Sequence, residues 1–102
     1  MTFPTFTVKA RIWLYPGDAA WHFVNIDKEQ SVRLKERYGK QARGFRSLPV
    51  TVTLGKTTWD TSIFPDSHSG TYLLPLKASV RRSEAVAAGD DISFKVRVRL
   101  PR

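Results

Sequence analysis

Lys9, Arg11 and Trp13 stand at every second position of one segment, and Lys95, Arg97 and Arg99 at every second position of another. If those segments are paired strands, the six share an outward face. Ammonium and guanidinium groups there would meet phosphates, and a base could stack on the indole. The competing expectation is a solvated edge guarded by charge against aggregation. A second grouping has different chemistry. Trp59, Ser62 and Tyr72 flank one loop, and Lys77 and Arg81 follow four residues apart on a predicted helix, where they share a face. An aromatic wall, a hydroxyl and two cations would accept a small anionic ligand, or support a modest enzyme. Against that, both rings could be core, with the two cationic stems lying across it.

Residues with catalytic or metal-binding spacing are scarce. The two histidines, His22 and His68, have no metal-type spacing, and a zinc site wants three or four ligands. His22 falls on a predicted strand and His68 in a polar loop. Ser62, Ser67 and Ser69 have no identifiable base and orienting partner, and neither G-x-S-x-G nor G-x-x-x-x-G-K-[ST] occurs. Asp90 and Asp91 adjoin in a turn, where Asp is favoured for local hydrogen bonding. With no cysteine, disulfides and thiolate zinc sites are excluded. No catalytic residue, metal or cofactor is expected.

A formal charge of +8 draws a domain toward polyanions: nucleic acid, acidic protein, anionic lipid or phosphorylated ligands. The excess is not concentrated in one run, so a basic surface that merely aids solubility stays open. The 102 residues suit a single domain over 1–102. A content of 41% hydrophobic and 25% charged residues is that of an ordinary globular protein with one core. No stretch approaches the ~20 apolar residues of a membrane span. Residues 1–6 lack the basic and apolar regions of a signal peptide, so a cytoplasmic protein is expected.

The elements that must position these groups follow from periodicity. Ile92, Phe94, Val96, Val98 and Leu100 alternate with Ser93, Lys95, Arg97 and Arg99, which predicts a strand with one buried and one basic face. Phe6, Val8, Ala10, Ile12 and Leu14 alternate in the same way with Thr7, Lys9, Arg11 and Trp13. Tyr15-Pro16-Gly17-Asp18 turns, and residues 21–26 return as a strand. Asp27 suits a helix N-cap with Gln30 as capping-box partner, and Gly39 suits the C′ position of a helix over 28–38. Val32, Leu34 and Tyr38 give that helix a thin apolar stripe, so it should cover a surface rather than form a core. Val50, Val52 and Leu54 alternate with threonines, Gly55-Lys56 turns, and Trp59, Thr61 and Ile63 continue the rhythm. Residues 64–70 read as a loop, 72–74 as a strand, 77–85 as a second helix, and Gly89-Asp90 as the turn into the last strand.

In order, this is strand, strand, helix, strand, and then the same again. Residues 23–28 stand where 72–77 stand in the second half. Two such ββαβ halves closing on one another leave few sheet edges exposed. The expected fold is therefore mainly β (α+β): a small closed barrel of two ββαβ halves, with about six strands and two short helices. An open antiparallel sheet with both helices on one face is the alternative.

The stretch from Gly44 to Asp90 resembles the bacterial family called domain of unknown function 1905. The resembling residues are Gly44-Phe45, Val50-Thr51-Val52 and Trp59-Asp60-Thr61-Ser62-Ile63-Phe64-Pro65. They continue through Gly70-Thr71-Tyr72-Leu73-Leu74-Pro75-Leu76-Lys77 and Val80-Arg81-Arg82 to Gly89-Asp90. Phe6-Thr7-Val8-Lys9-Ala10 and Trp21-His22-Phe23-Val24 fit the family's opening. Asp27 stands where the family often opens its first helix with proline, and an Asp cap serves equally well. The resemblance implies a double-split, barrel-like fold of duplicated halves, with no catalytic residues to carry over. Gly70-x4-Pro75, Arg81 and Gly89-Asp90 also look like the AbrB-type transition-state regulators, which are similar in barrel fold and bind DNA as swapped dimers. Asp60, Asp66 and His68 occupy the arm before Gly70, which holds no Lys or Arg. That departs from a basic DNA-binding surface. The function expected is a non-enzymatic binding or accessory module for an anionic partner, as monomer or small homo-oligomer, with a nucleic-acid-binding regulator as the alternative.

Overall fold

Alternating apolar residues build the strands of this fold, and burial follows the alternation closely enough to show where it breaks. The computed structural model describes residues 5–17, 20–42 and 46–99. Asp18, Gly44, Phe45 and Leu100, which enter the expectations above, lie outside the described residues. The strands and helices in chain order are β1 (Thr5–Arg11), β2 (Trp13–Leu14), β3 (His22–Asn25), α1 (Lys28–Tyr38) and β4 (Leu48–Leu54). They continue as β5 (Thr57–Asp66), β6 (Thr71–Pro75), α2 (Ala78–Glu84) and β7 (Asp91–Val98). Seven antiparallel strands in the order β1-β7-β4-β5-β6-β3-β2 form a half-barrel with two helices, a mainly β fold.

The strand count differs from the six expected because the first segment divides at Ile12. Its N–H donates to the Asp90 carbonyl at 2.9 Å, and its own carbonyl accepts from Gly89 at 2.8 Å. Both backbone groups thus go to the turn before β7. Upstream of that point β1 pairs with β7, and downstream β2 pairs with β3. β5 makes the same change of partner: residues 57–63 pair with β4 and residues 64–66 with β6. Leu14, the last apolar position of the first segment, is 51% exposed, since it pairs with His22 at the outer end of the β2–β3 ladder.

The strand-strand-helix-strand order is repeated, and the pairings carry over from one half to the other. Val24 and Leu74 face each other where β3 meets β6. On either side, Ile26 N–H donates to Tyr72 and Leu76 N–H to His22, each at 2.9 Å. Exchanging the halves converts one bond into the other, so His22 corresponds to Tyr72 and Asp27 to Lys77. The sequence alignment of 23–28 with 72–77 is one residue out of step, because hydrogen-bond register, rather than residue identity, relates the halves. Asp27 and Lys77 are the two N-cap residues.

Val8, Ile12, Val52, Ile63, Leu74 and Phe94 are among the buried side chains that fill the interior. Leu34 and Tyr38 of α1 join this core, and so does Val80 of α2. The expected α1 stripe is thereby corrected. Val32 is 44% exposed, and Ser31 takes the buried position one turn before Leu34. Asp27 caps α1 as expected, accepting from the Gln30 N–H at 3.1 Å while the Gln30 amide donates back to its carboxylate at 2.7 Å. Gly39 does not stop the helix in a left-handed conformation. It keeps right-handed values and leads into a 3-10 turn, Gly39–Gln41.

Candidate functional site

Strand register assembles the basic residues on the outer surface of β1, β7 and β4. Lys95 lies between Thr7 and Thr53, and Arg97 between Thr5 and Thr51, while Lys9 faces Ser93. Lys9, Lys95 and Arg97 are exposed, because Val8, Phe94 and Val96 beside them take the inward positions. None of the three has an ion-pair partner among the described residues. Among their ladder neighbours Thr51 donates its hydroxyl to Asp60 Oδ1 at 2.7 Å and Thr53 shares a 3.0 Å hydroxyl contact with Thr58, while the hydroxyls of Thr5, Thr7 and Ser93 can donate to the same oxygens that a cation attracts.

Two other cations of the expected row are neutralised. Arg11 Nε and Nη2 meet the two carboxylate oxygens of Asp91 at 2.9 and 3.3 Å. This contact raises the guanidinium pKa and holds the Asp91 carboxyl below its usual range, in both cases chiefly through the side-chain hydrogen bond. Arg99 lies 3.4 Å from Asp60 through Nε, and its backbone N–H donates to Pro49 at 2.8 Å. A shallow depression lined by Lys9, Arg11, Asp91 and Ser93 opens on this surface.

Trp13 is not part of that row. Two residues beyond Arg11 the chain has left β7 and pairs with β3, and the indole N–H donates to Asn25 Oδ1 at 2.6 Å. Asn25 donates in turn to Thr71 at 2.9 Å, and Thr71 shares a 2.7 Å hydroxyl contact with Ser69. Ser69 donates to Asp66 at 2.7 Å and holds that carboxyl below its ordinary range. Trp13 is thus held at its polar edge by a chain of side chains from three elements.

Around Trp13 stands a cluster that the sequence reading passed over. Trp13 pairs with Phe23, and the Tyr15 N–H donates to Trp21 at 2.8 Å, so all four rings belong to one face of the β2–β3 hairpin. Phe23 lies 5.3 Å from Trp13 and 5.8 Å from Trp21, the latter at an interplanar angle of 23°. Tyr15 is 52% and Trp21 53% exposed, which leaves these two rings open to solvent. The signal was present as Trp-x-Tyr and Trp-x-Phe on the two arms of a Pro-Gly turn.

The second expected grouping does not converge. Trp59 points into the core opposite Val52, and Ser62, an odd number of residues along a regular ladder, lies on the other face of β5 opposite Pro49. Tyr72 is buried, which pushes its phenol pKa up, and its backbone N–H donates to Ser31 Oγ. Lys77 is exposed at the N-cap of α2. Arg81 turns back to donate from Nε to the Leu76 carbonyl at 3.1 Å, with Nη1 3.4 Å from His22 Nε2. His68 is exposed in the turn after β5. Among the described residues no three His, Cys, Asp or Glu side chains lie together as metal ligands would.

Fold and surface together define a small, mainly β fold whose polar sheet face carries cations with no ion-pair partner among the described residues. The family model described as Domain of unknown function (DUF1905) matches residues 9–96, so the chain belongs to that family. No curated protein matches it. Among the described residues no helix is long and apolar enough to cross a membrane.

Proposed function

We propose that this chain is a non-enzymatic binding module for an anionic partner, which rests on the sheet face holding Lys9, Lys95 and Arg97. The observation that carries the reading is the asymmetry among the cations of that face. Arg11 and Arg99 have carboxylate partners, while Lys9, Lys95 and Arg97 have none among the described residues and project beside threonine and serine hydroxyls. Lys95 and Arg97 are two residues apart, about 6.8 Å along a strand, a spacing that an extended polyanion meets with successive charges. The net charge of +8 favours such a partner at long range. In the same reading the half-barrel is a closed double-split barrel. Supporting this, β1 and β2, the two ends of the sheet order, are separated in the chain by Ile12 alone.

Titration of labelled inorganic polyphosphate against the protein at increasing salt tests the proposal. Affinity should fall linearly with salt on logarithmic axes, and the triple variant Lys9→Glu, Lys95→Glu, Arg97→Glu should abolish binding. Binding that survives this triple reversal would exclude the face.

A further inference from the structure

We propose that the Trp13–Tyr15–Trp21–Phe23 face of the β2–β3 hairpin is a stacking platform for unpaired nucleobases, so that the anionic partner is a single-stranded nucleic acid. The inference rests on the reading of the adjoining basic face and names the class of its partner. Two cross-strand aromatic pairs occupy consecutive same-face positions of one hairpin. Packing against each other accounts for part of this, since cross-strand aromatic pairs support a hairpin. It does not account for Tyr15 and Trp21, which keep half their surface in water at 52% and 53% exposure. An exposed aromatic cluster rimmed by polar groups marks a surface that meets a partner.

Charge decides which partner. A second copy of the chain would bring another +8 against the first. A nucleic acid strand is complementary to both surfaces at once, because its phosphates are anionic and every base has a face that can stack. The two surfaces also follow one another along the chain, on either side of the change of pairing at Ile12. Lys9, Arg11, Trp13 and Tyr15 are successive alternate positions; Ala10 and Ile12 turn inward between the first three, while Leu14, between Trp13 and Tyr15, is 51% exposed. From Lys9 to Trp13 is about 13 Å of extended chain, which a few nucleotides span. Phosphates on the Lys9 side and bases on the Trp13 side fit the sign of the charges present, since Asp66 joins the Trp13 network and would repel phosphate there. The Asn25 bond fixes the Trp13 ring in advance, so little freedom is lost when a base stacks on it.

Fluorescence anisotropy with oligouridine, oligothymidine, a DNA duplex and inorganic polyphosphate, matched in phosphate number, tests the inference. Either single strand should bind at least tenfold tighter than duplex or polyphosphate. Trp21→Ala, at an exposed position, should weaken single-strand binding by roughly five- to 150-fold, the scale of one lost base stack, and leave polyphosphate binding unchanged. Trp21→Phe should restore most of the loss. Equal affinity for the polyphosphate and the single strands, or single-strand affinity untouched by Trp21→Ala, would overturn the platform while the basic face stands. No binding of any polyanion at low salt overturns both.

Discussion

Arg11 lies directly opposite Asp91 in the β1–β7 ladder, and their side chains meet through two contacts at 2.9 and 3.3 Å. A carboxylate so placed masks one cation of a face that otherwise presents Lys9, Lys95 and Arg97. Asp91→Asn should unmask Arg11, tighten polyanion binding and steepen the salt dependence by about one unit of logarithmic slope. Both side chains are largely exposed, so thermal stability should scarcely change. Unaltered binding by this variant would mean that Arg11 lies outside the contact surface.

Ser31 is a small residue with a large structural task. Its hydroxyl donates to the Ile26 carbonyl and accepts from the Tyr72 N–H, each at 3.0 Å, which ties α1 to both β3 and β6. Ser31→Ala leaves two buried backbone groups without that partner and should cost about 2 kcal/mol, measured by denaturant unfolding. Loss of less than about 0.5 kcal/mol would show that water replaces the hydroxyl.

The Asp66 carboxyl sits below its ordinary range in the folded protein, mainly because Ser69 donates to it. A carboxyl of depressed folded pKa adds stability above its unfolded value, near pH 4, and that contribution is lost as pH falls through the depressed value. Melting temperature followed from neutral pH into acid should therefore decline less steeply in Ser69→Ala than in the parent chain. Parallel acid limbs in the two proteins would contradict the linkage.

Period-two alternation made most of the strand pattern legible, and the Asp27 cap with its Gln30 partner made the start of α1 legible. Ile12 was not, because the apolar rhythm passes through it unbroken while its N–H makes the last bond in the β1–β7 register, to Asp90, and its carbonyl slips one residue to Gly89. Ser31 hid behind its neighbour for a similar reason. Hydropathy selects Val32 for the core, and only the two backbone groups awaiting a hydroxyl select Ser31. Trp59 and Ser62 were grouped by closeness in sequence, yet an odd spacing on a regular strand sends them to opposite sides of the sheet. The common face of Trp13, Tyr15, Trp21 and Phe23 is not legible in the sequence, because it depends on the pairing of Trp13 with Phe23.

Pairing of β1 with β7 joins the earliest described strand to the latest. During synthesis β1 must wait for nearly all the intervening chain to emerge before its ladder can form, and until then its amides and carbonyls face solvent or a chaperone unclaimed. Lys9 and Arg11 ride on that waiting strand, where like charges discourage two nascent chains from zipping together. The cations of the mature surface thus also safeguard the molecule's own birth.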